Sequence, residues 1–181
     1  SGASLANLMN EAAIVAARNG KSEIGYDEVD YAIDRQQVGM VKETGTSFPN
    51  RQLLVAYHEA GHAIMGALTP DYDMVTKVTI VPRTNGAGGF TLFTPTEARA
   101  ESGMYSKKYL EGQLAVALGG RVAEELVYGK DEITTGASND LQQVRNIARR
   151  MVTQWGFSKN KLGAVAWEQD NQPWYGNKAA S

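Results

Sequence analysis

His58-Glu59-Ala60-Gly61-His62 reads H-E-x-x-H, and the rest of the chain is best understood outward from it. On a helix, two histidines four residues apart project from one face, so both imidazoles can reach one metal ion. The glutamate beside the first histidine is then placed to act as general base on a water at that metal. The flanking sequence predicts such a helix. Arg51 to Leu68 contains no proline, Asn50 is a suitable N-cap, and Thr69-Pro70 is a stop signal. Leu53, Leu54, Tyr57, Ile64, Met65 and Leu68 supply an apolar face expected to bury the helix. A histidine on a buried helix is more often a hydrogen-bonded core residue than a ligand. Here the chain has 2 histidines and both fall in the motif, which favours the ligand reading.

Composition sets the outer bounds. The 181 residues are 43% hydrophobic and 21% charged, the balance of a globular chain with a sizeable core. A net charge of -2 gives no bulk attraction to nucleic acid or to an anionic membrane. The absence of cysteine excludes disulfides and thiolate metal sites, and it fits a reducing compartment. No run of about eighteen apolar residues is present to span a membrane. The abrupt start at Ser1-Gly2-Ala3 and the stop at Ala180-Ser181 read as cut points, so a fragment of a longer chain is expected.

Taken in order, Ser1 to Asn19 predicts an amphipathic helix through Leu5, Leu8, Met9, Ala12, Ala13 and Ala16, ended by Gly20. Glu28 to Ile33 predicts a second helix capped by Asp27, so that the first segment forms a helical hairpin. Gln36 to Asn50 reads as a linker and marks the boundary. After the motif helix, Val75 to Val81 alternates as a strand ended by Pro82, and Phe90 to Thr94 is a second strand. Between them, Gly86, Gly88 and Gly89 form a turn that lacks the pattern of a phosphate-binding loop. Thr96 to Tyr105 is expected on the surface. Ser106 is expected to cap a long helix to Tyr128 with an apolar face from Leu110 to Leu126. The pair Gly119-Gly120 inside it predicts a close helix–helix contact or a kink. Ile133 to Asn139 is rich in capping residues and leads to a helix from about Asp140 to Gln154, stopped by Gly156. The tail from Asn160 reads as loosely held.

A catalytic zinc takes three protein ligands and keeps one position open. Both histidines are used and cysteine is absent, so the third ligand is expected to be a carboxylate. No glutamate lies between Glu59 and Glu97, which disfavours a ligand about twenty residues past the motif. Asp140, at a helix start that favours an ionised carboxylate, competes with Glu124 and Glu125 late in the apolar helix. Asp131 and Glu132 remain candidates, with Asp71 and Asp73 as outsiders.

Three stretches then act together: the His58–His62 motif, Gly119-Gly120-Arg121-Val122-Ala123-Glu124-Glu125, and Thr135-Gly136-Ala137-Ser138-Asn139-Asp140. In this order they resemble the FtsH family of membrane-anchored, ATP-dependent zinc metalloproteases, nearest its plastid and cyanobacterial branch. Ser1 to Ala13 resembles the end of that family's AAA+ helical lid. The resemblance implies a mainly α fold with a small β element, a zincin-like protease domain. It implies a lid remnant over residues 1–36, a linker over 37–50 and a protease domain over 51–181, truncated at its C-terminus. It implies that His58, His62 and Asp140 bind Zn2+ and that Glu59 is the catalytic base; it promotes Asp140 over Glu124, which is kept as an alternative, a residue supporting the site from behind. It further implies unfolded or damaged membrane-protein substrates and a homo- or hetero-hexamer. The membrane would be reached only through segments missing here, with the protease facing the stroma or cytoplasm. The nucleotide-binding loop is absent from this sequence, so ATPase activity is not expected of it, and no nucleic-acid partner is implied.

The expected reaction is peptide hydrolysis, with an extended substrate adding to the edge of the Val75–Val81 strand. The rival is a catalytically silent ring-assembly module, against which the intact His-Glu-His set argues. A structural zinc domain is disfavoured because such sites usually have four protein ligands and often cysteine.

Overall fold

A computed structural model describes residues 1–42, 48–158 and 162–167. Most of the expected tail from Asn160 and part of the expected linker lie outside the described residues. The elements run α1 (Gly2–Arg18), α2 (Tyr26–Val38), α3 (Pro49–Leu68), β1 (Met74–Thr79), β2 (Phe90–Thr94), α4 (Glu97–Ser102), α5 (Lys107–Tyr128) and α6 (Ser138–Thr153). Short 3-10 turns at Lys130–Glu132 and Thr135–Ala137 join α5 to α6. The fold is mainly α with a small β element, as the sequence led us to expect. No helix among the described residues is long and apolar enough to cross a membrane.

α1 and α2 form the expected helical hairpin, closed by Ala12, Ala16 and Ala32 and by the Arg35–Glu11 ion pair. α2 begins at Tyr26, not at a cap on Asp27. Its N-cap is Gly25, whose N–H donates to Glu28 Oε2 at 2.9 Å. A three-residue reach from inside the helix thus replaces the aspartate cap. α2 also runs through Gln36 to Val38, into the expected linker.

α3 starts at Pro49, so Phe48 and not Asn50 occupies the N-cap position. Proline at the first helical position has no N–H to leave unpaired and already holds a helical φ. The expected apolar face is only partly used. Leu53, Tyr57, Ile64 and Leu68 are exposed, whereas Glu59, Gly61, His62 and Gly66 are buried. Small residues let α3 approach its neighbours closely, while Leu53, Ile64 and Leu68 stay exposed.

The closest approach is between α3 and α5. A Cβ on Gly61 would collide with the Gly119 carbonyl, and one on Gly119 would lie 2.7 Å from the Gly61 carbonyl. α5 is unbroken from Lys107 to Tyr128, and its Gly119-Gly120 pair serves the close contact. Ser106 Oγ accepts from Tyr109 N–H at 3.1 Å and caps this helix as expected. On another side of α3, a Cβ at Gly66 would strike the Phe93 ring of β2.

β1 ends at Thr79, short of the expected Val81. It pairs antiparallel with β2, Met74 opposite Thr94 and Thr79 opposite Phe90, with a bulge between Val75 and Lys77. α6 starts at Ser138, so Asp140 lies inside its first turn instead of opening it.

The glycine contact generates a test. Gly61→Ala gains about 1 kcal/mol of helix propensity. The overpacking cost against a backbone carbonyl is larger, about 1–3 kcal/mol beyond that gain. We expect a thermal midpoint lowered by about 2–4 °C per kcal/mol lost in a domain of this size. Gly2→Ala, at the start of α1 with nothing within 4 Å, should not lower the midpoint.

Candidate active site

The two histidines of α3 face α5 across the glycine contact. His62 Nδ1–H donates to the Val116 carbonyl at 2.8 Å, and His58 Nδ1–H donates to Glu124 Oε1 at 2.7 Å. A carbonyl can only accept, so His62 carries its proton on Nδ1 and presents a lone pair at Nε2. The Glu124 carboxylate imposes the same tautomer on His58. The two Nε2 atoms then lie 3.0 Å apart. A Cβ on Gly120 would lie 2.5 Å from His58 Nε2 and 2.6 Å from His62 Nε2. Only a glycine there leaves room for both rings.

Asp140 reaches this point from a separate element. Its Oδ2 is 3.2 Å from His58 Nε2 and 3.5 Å from His62 Nε2. The three ligand atoms lie within 4.8 Å of one another, and they are the group of this kind found among the described residues. Two nitrogen lone pairs and a carboxylate turned on one another repel unless a positive charge sits between them. Two imidazoles and one carboxylate suit a divalent ion such as zinc, and the donor set fits such an ion. The electrostatics point the same way. Burial is the largest single influence and would lower both imidazoles, but Asp140 together with Glu124 beside His58 and the Val116 carbonyl beside His62 raises both. Burial would raise Asp140, but the neighbouring His58 and His62 rings bring its carboxyl down to about 2.

The other expected candidates stand elsewhere. Glu125 faces Lys130 at 3.7 Å, and Asp131 and Glu132 are exposed. Asp71 pairs with Lys108, and Asp73 with Arg99 and the Tyr109 hydroxyl. Glu124 is fully buried but turns to the far nitrogen of His58, away from the cluster of Nε2 atoms. Its Oε2 accepts from the backbone N–H and the hydroxyl of Thr134, each at 3.0 Å.

Glu59 is 7% exposed and lines a cleft of about 1150 Å³ together with His58, His62 and Asp140. Burial pushes its carboxyl above the usual glutamate range, against the opposing hydrogen bond from Thr91. The Thr91 hydroxyl lies 2.9 Å from Glu59 Oε2. The cleft is walled by residues 85–91 and Phe93, so β2, not the expected β1, is the strand beside it.

The model of peptidase family M41 matches residues 46–181. The chain belongs to peptidase family M41. It is similar to the ATP-dependent zinc metalloprotease FtsH 3 of Synechocystis, 59% identical over 91% of this chain and 26% of that protein. It is 57% identical to the chloroplastic ATP-dependent zinc metalloprotease FTSH of Capsicum annuum, over 91% of this chain and 25% of that one. A third, chloroplastic FTSH 5 of Arabidopsis thaliana, is 56% identical over 91% and 23%. The chain spans about a quarter of the length of these curated relatives. The FtsH resemblance and its cyanobacterial and plastid leaning are thereby borne out.

Four parts of this M41 site escaped the sequence reading: Thr91, Thr134, the Val116 carbonyl and the steric role of Gly120. Threonine in a strand or a turn carries no local sign of a distant carboxylate partner. Gly119-Gly120 did signal a close contact, though not which side chains it admits.

Glu124 in the M41 chain accepts three hydrogen bonds while fully buried. Glu124→Ala would strand the Thr134 N–H and the His58 Nδ1–H, and should destabilise by about 2–4 kcal/mol in urea unfolding. Glu124→Gln keeps an acceptor and should lose less.

Proposed function

We propose that this chain is a zinc-dependent endopeptidase. One observation carries the reading: two imidazole Nε2 atoms and one carboxylate oxygen converge beside Glu59 in an open cleft. His58, His62 and Asp140 would hold the ion, with Val116 and Glu124 fixing the ring orientations from behind. When bound, zinc supplies Lewis acidity, polarising the scissile carbonyl and making water acidic near neutral pH. Glu59 takes the proton of the attacking water on its carboxylate and delivers it to the leaving amine. An extended peptide would lie along β2, whose Phe90, Thr91 and Phe93 line the cleft. Backbone pairing of this kind recognises any unfolded segment and demands little of its sequence.

The relatives are named ATP-dependent and, in two cases, chloroplastic, which supports the ATP-driven part of the wider setting that the family resemblance implies. Unfolded or damaged membrane proteins would be delivered by an attached AAA+ ATPase. Residues 1–36 would be the end of its lid, 37–50 the linker and 51–181 the protease domain. A hexamer of like or mixed subunits, anchored to a thylakoid or bacterial membrane by other segments, would face the stroma or cytoplasm.

Glu59→Gln should retain bound zinc and lose casein cleavage by about 100-fold or more. A cleaving Glu59→Gln variant would remove Glu59 from the base role. Bound zinc per chain, measured by atomic emission, should be near one in the parent and lost in Asp140→Ala. Retention in Asp140→Ala with loss in Glu124→Ala would move the third ligand to α5. Zinc bound without zinc-dependent cleavage would favour the silent assembly module.

A further inference from the structure

Residues 85–89 of the loop 83–89 form part of the cleft wall, and this loop is held from outside by the N-terminal hairpin. Within the loop, Arg83 N–H donates to the Ala87 carbonyl at 2.8 Å, and Gly86 N–H to the Arg83 carbonyl at 3.2 Å. The segment following α2 clamps it from behind. Thr84 N–H donates to the Met40 carbonyl and Lys42 N–H to the Pro82 carbonyl, both at 2.9 Å. Asn85 Nδ2 donates to the Val38 carbonyl at 2.9 Å.

Arg83 is the hub of this clamp. Its guanidinium is 3% exposed, donates to Asp34 Oδ2 of α2 at 2.8 Å and to the Gly39 carbonyl at 3.3 Å, and lies 5.1 Å from the Phe90 ring. On its inner side the loop has no slack. A Cβ at Gly88 would sit 3.0 Å from Val55 Cγ2, and one at Gly89 would sit 2.9 Å from Val55 Cγ1 and 3.0 Å from Glu59 Cγ. The loop backbone is therefore pressed between α2 and the face of α3 that carries Glu59. A shift of α2 cannot be absorbed at Arg83 and must be passed to the cleft wall.

We propose that Arg83 is a positioning residue, pinned by Asp34 and the Gly39 carbonyl, that sets the cleft wall and through it the affinity for an extended peptide. The N-terminal hairpin then acts on peptide binding without touching the peptide. The kinetic part of this inference rests on the endopeptidase reading; the structural part does not.

Lys77 provides the control. Its Nζ pairs with Asp34 Oδ1 at 2.8 Å and Asp30 Oδ2 at 2.6 Å, yet it stands on β1 and does not line the cleft. Lys77→Met removes an Asp34 partner without releasing the wall. Arg83→Lys keeps the charge, but one ammonium cannot reproduce the planar fork that reaches Asp34 and Gly39 while lying near Phe90.

The test uses the whole 181-residue chain with zinc and a fluorogenic peptide. In Arg83→Lys, KM should rise about tenfold with kcat within about twofold and zinc content unchanged, the scale of one charged hydrogen bond. The Thr84 and Gly86 amides should exchange with deuterium about tenfold faster. Asp34→Asn should move both readouts in the same direction, and serves if Arg83→Lys does not fold. Lys77→Met should lower the thermal midpoint and leave both readouts at parent values. Unchanged KM, unchanged exchange, or an equal effect in Lys77→Met overturns the proposal. If the parent cleaves no peptide, the endopeptidase reading fails, and amide exchange alone decides whether Arg83 holds the wall.

Discussion

The contact of α3 with α5 at Gly61 and Gly119 is the constraint on which the rest depends. Neither helix could lie so close if either glycine carried a side chain. Close approach is what brings the Val116 carbonyl and Glu124 within hydrogen-bond reach of the two imidazoles. Moved apart by one methyl group, the helices would leave both Nδ1 atoms without their partners, and the direction of the Nε2 lone pairs would no longer be fixed. Packing and chemistry are the same fact at this point of the fold. Gly120 adds to it, because the space it leaves is where the two rings stand.

A fully buried carboxylate is costly unless its charge is met. Glu124 meets this requirement with one imidazole N–H, one backbone N–H and one hydroxyl, drawn from α3 and from the turn after α5. Those bonds tie the turn to the site, and the turn in turn delivers Asp140. Ala137, buried at the start of α6, anchors the same junction. The position of Asp140 is thus set by a carboxylate sixteen residues earlier that does not itself enter the cluster.

α3 has three working sides. One meets α5 through Gly61 and His62, and one meets β2 through Gly66 and Glu59. The third carries Leu53, Tyr57, Ile64 and Leu68 and is exposed among the described residues. Periodicity reports which residues share a side. It does not report which side packs, because glycine and alanine give little hydrophobic signal yet allow the closest contacts. The same blindness explains Val122 and Leu126 on α5, which are exposed beside a buried glutamate. Which strand lines the cleft was hidden from the sequence for a related reason. Alternation identified β1 and β2, but the strand beside the cleft was fixed by the packing of Phe93 on Gly66 and of Thr91 on Glu59.

The sequence alone determined the helix bearing His58 and His62, the long helix capped by Ser106, the strand pair, and the reservation of a metal site for nitrogen and oxygen donors. These follow from local rules: side-chain spacing on a helix, capping chemistry, alternation, and the absence of cysteine. Reading the residues one by one left Asp140, Glu124 and Glu125 in competition, since each sits acceptably on its own helix; the family resemblance favoured Asp140. Tertiary structure alone decided how they divide. Asp140 points to the Nε2 atoms, Glu124 to the opposite nitrogen of His58, and Glu125 outward to Lys130. It also decided the contacts of Thr91, Thr134 and Arg83, whose partners stand on other elements. Such partnerships arise only when separate elements dock, and the distance of closest docking is set by glycines that local sequence patterns cannot pair.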